Sequence, residues 1–364
     1  MKKIRQADLS TDYLQVAQDV NTKLTELLTS GTFIGGQEVS AFERALSEYL
    51  GVKRVISCGN GTDALQLALM SLNLPRGSKI IVPAFTYIAP IEVIKLLGFE
   101  PVYADVDVRT FNICLSTIAD VYTEEVKAIV VVHLFGQLIS DIDEIAKFCD
   151  QKQITLIEDN AQSLGAEKKL NRNSICTTSF FPTKNLGCYG DGGAIYTNDE
   201  AKANTIRMMA NHGQSKKYYH DIIGINSRLD ALQAGILNVK LPGIDQLIQK
   251  KKNISYIYDE CFKNIPFLTI PIQESIHTFH QYTLIVDARY RDELQNYLAD
   301  HHIESTVYYP LPAYKQKAYL KDVFLPVCEN LCQTVLSIPI HLYLSESEIS
   351  YICETIVEFY KNKS

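Results

Sequence analysis

The chain has 364 residues, 46% hydrophobic and 21% charged, enough for two domains around a large core. A net charge of −7 with no basic stripe argues against a dedicated nucleic-acid binder, and no run of about 18 apolar residues is present to span a membrane. Nine cysteines without CxxC pairs make neither a disulfide framework nor a zinc site and suit a reducing cytosol, while Met1–Asp8 lacks the apolar stretch of a signal peptide.

Val16, Val20, Leu24, Leu27 and Leu28 recur at helical spacing and predict a helix over about 11–30, stopped at Gly31. After the loop Thr32–Gly36, Val39, Phe42, Leu46 and Leu50 share one face of a second helix over about 37–50, which Gly51 ends. From residue 52 short apolar runs alternate with helical stretches. The runs are Val55–Cys58, Lys79–Pro83, Pro101–Val106, Ala128–Val132, Thr155–Ile157, Thr178–Phe181 and Ala194–Thr197. Being apolar at nearly every position, they suit strands covered on both faces. The expected fold is therefore α/β, with a mostly parallel seven-stranded sheet. Ligands in such sheets bind beyond the carboxyl ends of the strands. Ile244, Leu247, Ile248, Ile254, Ile257 and Tyr258 predict a long helix leading out of the large domain. Gln281–Val286 and Thr306–Tyr309 are strand candidates, and Ile349, Ile352, Ile356 and Phe359 mark an amphipathic helix over about 346–360. The expected division is a large α/β domain over 1–244 and a smaller α+β domain over 245–364.

Cys58-Gly59-Asn60-Gly61-Thr62-Asp63 joins the first strand to a helix. A glycine turn with Thr62 as the expected N-cap leaves backbone N–H groups at the positive end of a helix dipole, a place for a phosphate. An ordinary capped helix explains the stretch equally well. It is not GxGxxG and has no lysine after the turn, so neither a dinucleotide fold nor a Walker loop is indicated. Asp159 ends the fifth run, and Lys184 follows in the loop after the sixth. A carboxylate at a strand end and a lysine in the next such loop suit a pyridoxal phosphate (PLP) site. The amine bonds the aldehyde, and the carboxylate pairs with the pyridinium nitrogen. Ser179, five residues before Lys184, either donates to the same phosphate or bonds its own backbone. In Phe85-Thr86-Tyr87 an aromatic ring either stacks on a cofactor or packs the core, and His133 reads as a satisfied core residue. Asn211–His220, with Lys216, Lys217, Tyr218 and Tyr219, is a solvated loop or a lid offering donors to phosphates. Tyr308-Tyr309-Pro310-Leu311-Pro312 is a proline-pinned turn that lines a sugar site or ends a strand. No metal site is expected.

Together these motifs resemble the DegT/StrS-type nucleotide-sugar aminotransferases, fold-type I PLP enzymes that act as dimers. The resemblance runs from Phe33-Ile34-Gly35-Gly36 to Tyr309-Pro310 and is densest over 157–234. Ser179–Lys184, Gly187–Ala194 and Asn226–Asp230 are especially similar to the branch that aminates C3 of UDP-2-acetamido-3-oxo sugars. The resemblance implies a cytoplasmic homodimer that moves the amine of L-glutamate onto C3 of a 3-oxo nucleotide sugar, of the UDP-2-acetamido-3-oxo-glucose or -glucuronate type. The usual setting of such enzymes is polysaccharide or lipopolysaccharide sugar synthesis. By the same resemblance Lys184 is the Schiff-base lysine and proton shuttle, and Asp159 the partner of the ring nitrogen. Gln162 lies by the phenolic oxygen, and Tyr87 stacks on the ring. Gly61, Thr62 and Ser179 hold the phosphate, and Asn226 reaches the phosphate of the neighbouring subunit. Arg228 faces a substrate carboxylate, and Tyr308 and Tyr309 meet the sugar. Some members carry histidine where this chain has Tyr308. Three alternatives stand beside this reading: a dTDP-3-oxo- or 4-oxo-6-deoxy-sugar aminotransferase, a PLP-dependent sugar dehydratase, and a non-catalytic PLP-binding regulatory protein. Dehydrating relatives replace the lysine with histidine, and Lys184 argues against them.

Overall fold

The computed structural model describes residues 3–361 and 363; Met1 and Lys2 of the stretch read for a signal peptide lie outside them. Two amphipathic helices open the chain, α1 (Leu9–Ser30) and α2 (Gly36–Leu50). Asp8 caps α1 by accepting the Thr11 N–H, and Gly31 ends it in the left-handed region at φ 66°. Phe42, Leu46 and Leu50 are buried as expected, but Leu28 is 60% exposed. It sits about 100° around the helix from the buried Leu27.

The alternating region then supplies β1 (Arg54–Cys58), α3 (Gly61–Met70), β2 (Lys79–Pro83), α4 (Ala89–Leu96) and β3 (Glu100–Ala104). It continues through α5 (Leu115–Val121), β4 (Val126–Val132), α6 (Ile142–Lys152), β5 (Thr155–Asp159), β6 (Ser174–Ser179) and β7 (Gly193–Thr197). The seven strands form one sheet in the order β1-β7-β6-β5-β4-β2-β3. Only β7 runs against its neighbours. The carboxyl ends of the other six strands therefore share one edge. Gly193 pairs with both Cys58 and Ser179, which brings the turn after β1 beside the end of β6.

The sixth strand is 174–179, not the expected 178–181. Polar Ser174 and Thr177 break its apolar pattern but are buried, with the Ser174 hydroxyl donating to Glu158 Oε1 at 2.5 Å. From Phe180 onward the chain turns away, and the Phe180 N–H donates to Gly192 O at 2.7 Å.

Beyond the sheet come α7 (Glu200–Met209), an exposed hairpin of β8 (Gln214–Lys216) and β9 (Tyr219–His220), then α8 (Ala231–Lys240) and α9 (Ile244–Phe262). A three-stranded antiparallel sheet follows, β10 (Leu268–Thr269), β11 (Tyr282–Val286) and β12 (Val335–Ile338), with α10 (Arg291–Asp300), α11 (Pro326–Thr334) and α12 (Glu346–Lys361). It has its own core around Tyr258, Phe262, Tyr282, Leu298 and Ile352. The strand expected at 306–309 does not form. Thr306 alone bridges Ser337, and the chain then leaves through a cis Tyr308–Tyr309 peptide into Pro310. Ala313, Tyr314, Cys328 and Leu331 return to the core of the large sheet. There they cover β3, the edge strand: the Tyr314 ring lies 5.7 Å from that of Tyr103, and Lys321 Nζ donates to Pro101 O at 3.0 Å. The Asp105 carboxylate, just past β3, accepts the Val327 and Cys328 N–H groups at 3.0 and 2.8 Å and so caps α11 from outside. Among the described residues no helix is long and apolar enough to cross a membrane.

Candidate active site

A cavity of about 630 Å³ opens at the carboxyl edge of the sheet, and Asp159 and Lys184 both line it. Asp159 ends β5 with one oxygen accepting the Ala161 N–H at 2.9 Å. Burial raises its pKa; that bond, Lys184 and His133 oppose the rise without cancelling it. Lys184 is held by a loop with no slack. Its N–H donates to Phe181 O at 2.8 Å, and Cys188 N–H to Phe180 O at 2.8 Å. A side chain at Gly187 would meet Pro182 O at 2.4 Å. Burial lowers the Lys184 amine to about 8, with Asp159 pulling the other way. A second lysine, the buried Lys251, donates to Asn185 Oδ1 at 3.1 Å and is lowered to about 8, by burial first and then by Lys184.

Behind Asp159 the neighbouring side chain points the other way and is fully satisfied. Glu158 takes two bonds from Arg172, at 2.8 and 2.7 Å, and one from His133 Nε2 at 3.1 Å. The Ile139 N–H donates to His133 Nδ1 at 3.1 Å, so the ring proton sits on Nε2 and faces Glu158. Burial alone would raise Glu158; the bonds from His133 and Arg172 outweigh it and hold the carboxyl down at about 2. His133 is thus the satisfied core residue expected. Its N–H donates to Asp159 O at 3.1 Å, which fixes the strand end beneath the cavity.

The turn after β1 forms a cup. Asn60, not Thr62, is the N-cap of α3: its backbone is extended and its side chain accepts the Asp63 N–H at 2.8 Å. Gly61 and Thr62 therefore occupy the first turn, where a helix leaves N–H groups without internal partners. Ser179 stands against the cup, its Cβ 2.7 Å from where a Gly61 side chain would begin. Both sides line the cavity.

Gln162, Tyr87, Tyr308 and Tyr309 line the same space. Gln162 Oε1 accepts the Phe135 N–H at 2.6 Å, and its amide donates to the Tyr309 hydroxyl at 3.5 Å. Tyr309 packs at 6.1 and 6.3 Å from Phe85 and Tyr87, and burial raises its hydroxyl pKa. Two expected residues lie elsewhere. Asn226 and Arg228 are exposed outside the cavity, with Arg228 donating to Asn211 Oδ1 at 3.3 Å. The sequence reading missed Asn60, His280 and Gln281 and left Thr86 without a role, yet all four line the cavity. Thr86 Oγ1 and His280 Nδ1 are buried there without a hydrogen-bond partner.

A half-buried lysine and a buried carboxylate facing one cavity, with a helix-start cup at the carboxyl edge of a mostly parallel sheet, mark the fold-type I class of PLP enzymes. Within that class the chain belongs to the DegT/DnrJ/EryC1/StrS aminotransferase family, whose model matches residues 15–357. It is 39% identical to the UDP-2-acetamido-2-deoxy-3-oxo-D-glucuronate aminotransferase of Pseudomonas aeruginosa, over 96% of this chain and 98% of that one. It is 38% identical to a pleiotropic regulatory protein of Geobacillus stearothermophilus, over 98% of each. The crystal structure of NtdA from Bacillus subtilis with bound cofactor PMP superposes with a TM-score of 0.94 at 28% identity, over 100% of this chain and 86% of that one. The protein is a PLP-dependent nucleotide-sugar aminotransferase. Its residues fit the coenzyme: a carboxylate with spare acceptor capacity, an accessible amine, an N–H cup and two unpartnered polar atoms converge on one cavity.

Proposed function

We propose that the enzyme transfers the amino group of L-glutamate to C3 of a UDP-2-acetamido-3-oxo sugar, of the glucose or glucuronate type, for polysaccharide or lipopolysaccharide synthesis. The observation that carries transamination is the placement of Lys184 and the buried Asp159 in one cavity. The choice of C3 is supported by the 39% identity to an enzyme named for a 3-oxo sugar nucleotide.

Gly61, Thr62 and Ser179 hold the phosphate, Asp159 the ring nitrogen, Gln162 the phenolic oxygen and Tyr87 the ring face. The bound coenzyme supplies a carbonyl that exchanges for an amine and a ring that spreads negative charge. Lys184 would anchor it, and its Nζ would be the group that takes up the donor's α-proton and gives it back. An amine lowered to about 8 has its free base within reach of neutral pH, as a general base needs. Asp159, buried and acceptor-only when ionised, keeps the ring nitrogen protonated. Tyr308 and Tyr309 line the sugar side and exclude water. Asn226 and Arg228, exposed beside the cup, suit a second copy of the chain in a homodimer: Asn226 serves the neighbour's phosphate and Arg228 a substrate carboxylate.

Lys184→Ala should abolish turnover and the visible Schiff-base band; full turnover in that variant would end the proposal. Incubation with L-glutamate alone should convert the coenzyme to its amine form, which a purely regulatory protein would not do. Product analysis with UDP-3-oxo, dTDP-3-oxo and dTDP-4-oxo sugars then locates the new nitrogen. An amine at C4 would overturn the C3 assignment.

A further inference from the structure

Ser227 is 2% exposed and does not line the cavity, yet its hydroxyl is fully engaged by the cup. Its Oγ accepts the Gly59 N–H at 2.9 Å and donates to Asp63 Oδ2 at 2.6 Å. Its own N–H donates to Ala210 O at 2.9 Å, so the residue is fixed from α7 as well. The fit leaves no play: a side chain at Gly59 would begin 3.0 Å from Asp63 Oδ2 and 3.3 Å from Ser227 Oγ.

Asp63 is the problem this contact solves. It lies in the first turn of α3, where a carboxylate is favoured by the helix dipole. The same turn offers its N–H groups to a phosphate, and two anions there repel. Ser227 takes up one Asp63 oxygen, and Asp63 does not line the cavity. Without the hydroxyl, Asp63 loses its donor, Gly59 loses its acceptor, and the carboxylate is free to turn toward the incoming anion. Ser227 also sits between Asn226 and Arg228, which the exposed surface presents outward.

We propose that Ser227 is a positioning residue for the coenzyme phosphate: its hydroxyl locks the Gly59 turn and restrains the Asp63 carboxylate, and so keeps the cup open to an anion. The inference rests on the phosphate lying at Gly61, Thr62 and Ser179. The test is coenzyme affinity of the apo chain, followed by absorbance, with inorganic phosphate as a second probe. Ser227→Ala should weaken pyridoxal phosphate by about tenfold, the scale of one like charge left free beside the phosphate. It should weaken inorganic phosphate in parallel and leave pyridoxal without phosphate unchanged. Asp63→Asn added to Ser227→Ala should recover most of the loss, because the freed charge is gone; a merely structural defect would deepen instead. Unmodified-like affinity in Ser227→Ala, an equal loss for pyridoxal, or no recovery in the double variant overturns the inference. If inorganic phosphate fails to compete with pyridoxal phosphate in the unmodified chain, the phosphate placement itself falls. Should Ser227→Ala not fold, Ser227→Thr keeps the hydroxyl and Asp63→Asn alone removes the charge. Asp63→Asn must then bind phosphate at least as tightly as the unmodified chain, and weaker binding overturns the inference.

Discussion

Replacing Gly61 by alanine should weaken coenzyme binding without unfolding the chain. The new Cβ would lie 2.7 Å from Ser179 Cβ and 3.3 Å from its Cα. Carbon pairs settle at about 3.5–4.0 Å, so the start of α3 and the end of β6 must part by about 1 Å. Overpacking of this kind costs about 1–3 kcal/mol, while alanine in place of glycine in a helix returns up to about 1 kcal/mol. Folding stability thus falls by at most about 3 kcal/mol, less than the roughly 5–15 kcal/mol that holds a typical fold together. The cup does not recover in the same way, because the Gly61 and Thr62 N–H groups and the Ser179 hydroxyl no longer converge. Losing one hydrogen bond to a charged group costs about 1.5–3 kcal/mol, roughly a 10- to 150-fold rise in dissociation constant. Absorbance titration of the apo chain with pyridoxal phosphate measures the rise, and thermal melting of the apo chain serves as control. An unchanged dissociation constant would refute the assignment of the cup.

Arg172→Met removes two bonds from a buried carboxylate, so the stability lost should be about 3–5 kcal/mol. Denaturant unfolding reads it, and a loss below about 1 kcal/mol would contradict the buried network. The lysine amines give a pH signature. Lys184 and Lys251 are both lowered to about 8 from 10.5, so between those values the folded apo chain binds fewer protons than the unfolded one. Stability should therefore rise with pH across that window, with the full penalty present below about 8. Lys251→Met should flatten the rise in unfolding measurements at the two ends of the window. An identical slope in both chains would show that the fold does not lower the Lys251 amine.

Which features were legible follows from how local their causes are. Asp159 and Lys184 were readable because each is announced by its own neighbours, an apolar run and a glycine-rich turn. The N-cap was misplaced by two residues because Asn60 and Thr62 are both good caps. The choice falls to Asn60 because its backbone is the extended one. Thr306–Tyr309 looked like a strand by composition. Pro310 cannot continue a ladder, however, and the two phenols are drawn into the cavity. The first half of β6 looked like loop because Ser174 is buried only by virtue of Glu158, which the intervening loop separates from it in sequence. His280 and Gln281 carried no local sign at all, since they enter the cavity from the segment before β11.

The capping of α11 by Asp105 bears on how this polypeptide can be divided. The outermost strand of the large sheet is shielded by residues that arrive only near the C-terminus. A fragment ending before them would expose unpaired amides along β3, a template for strand-to-strand association between molecules. The two sheets therefore form an interdependent pair, and during synthesis that flank stays open until almost the whole chain has emerged.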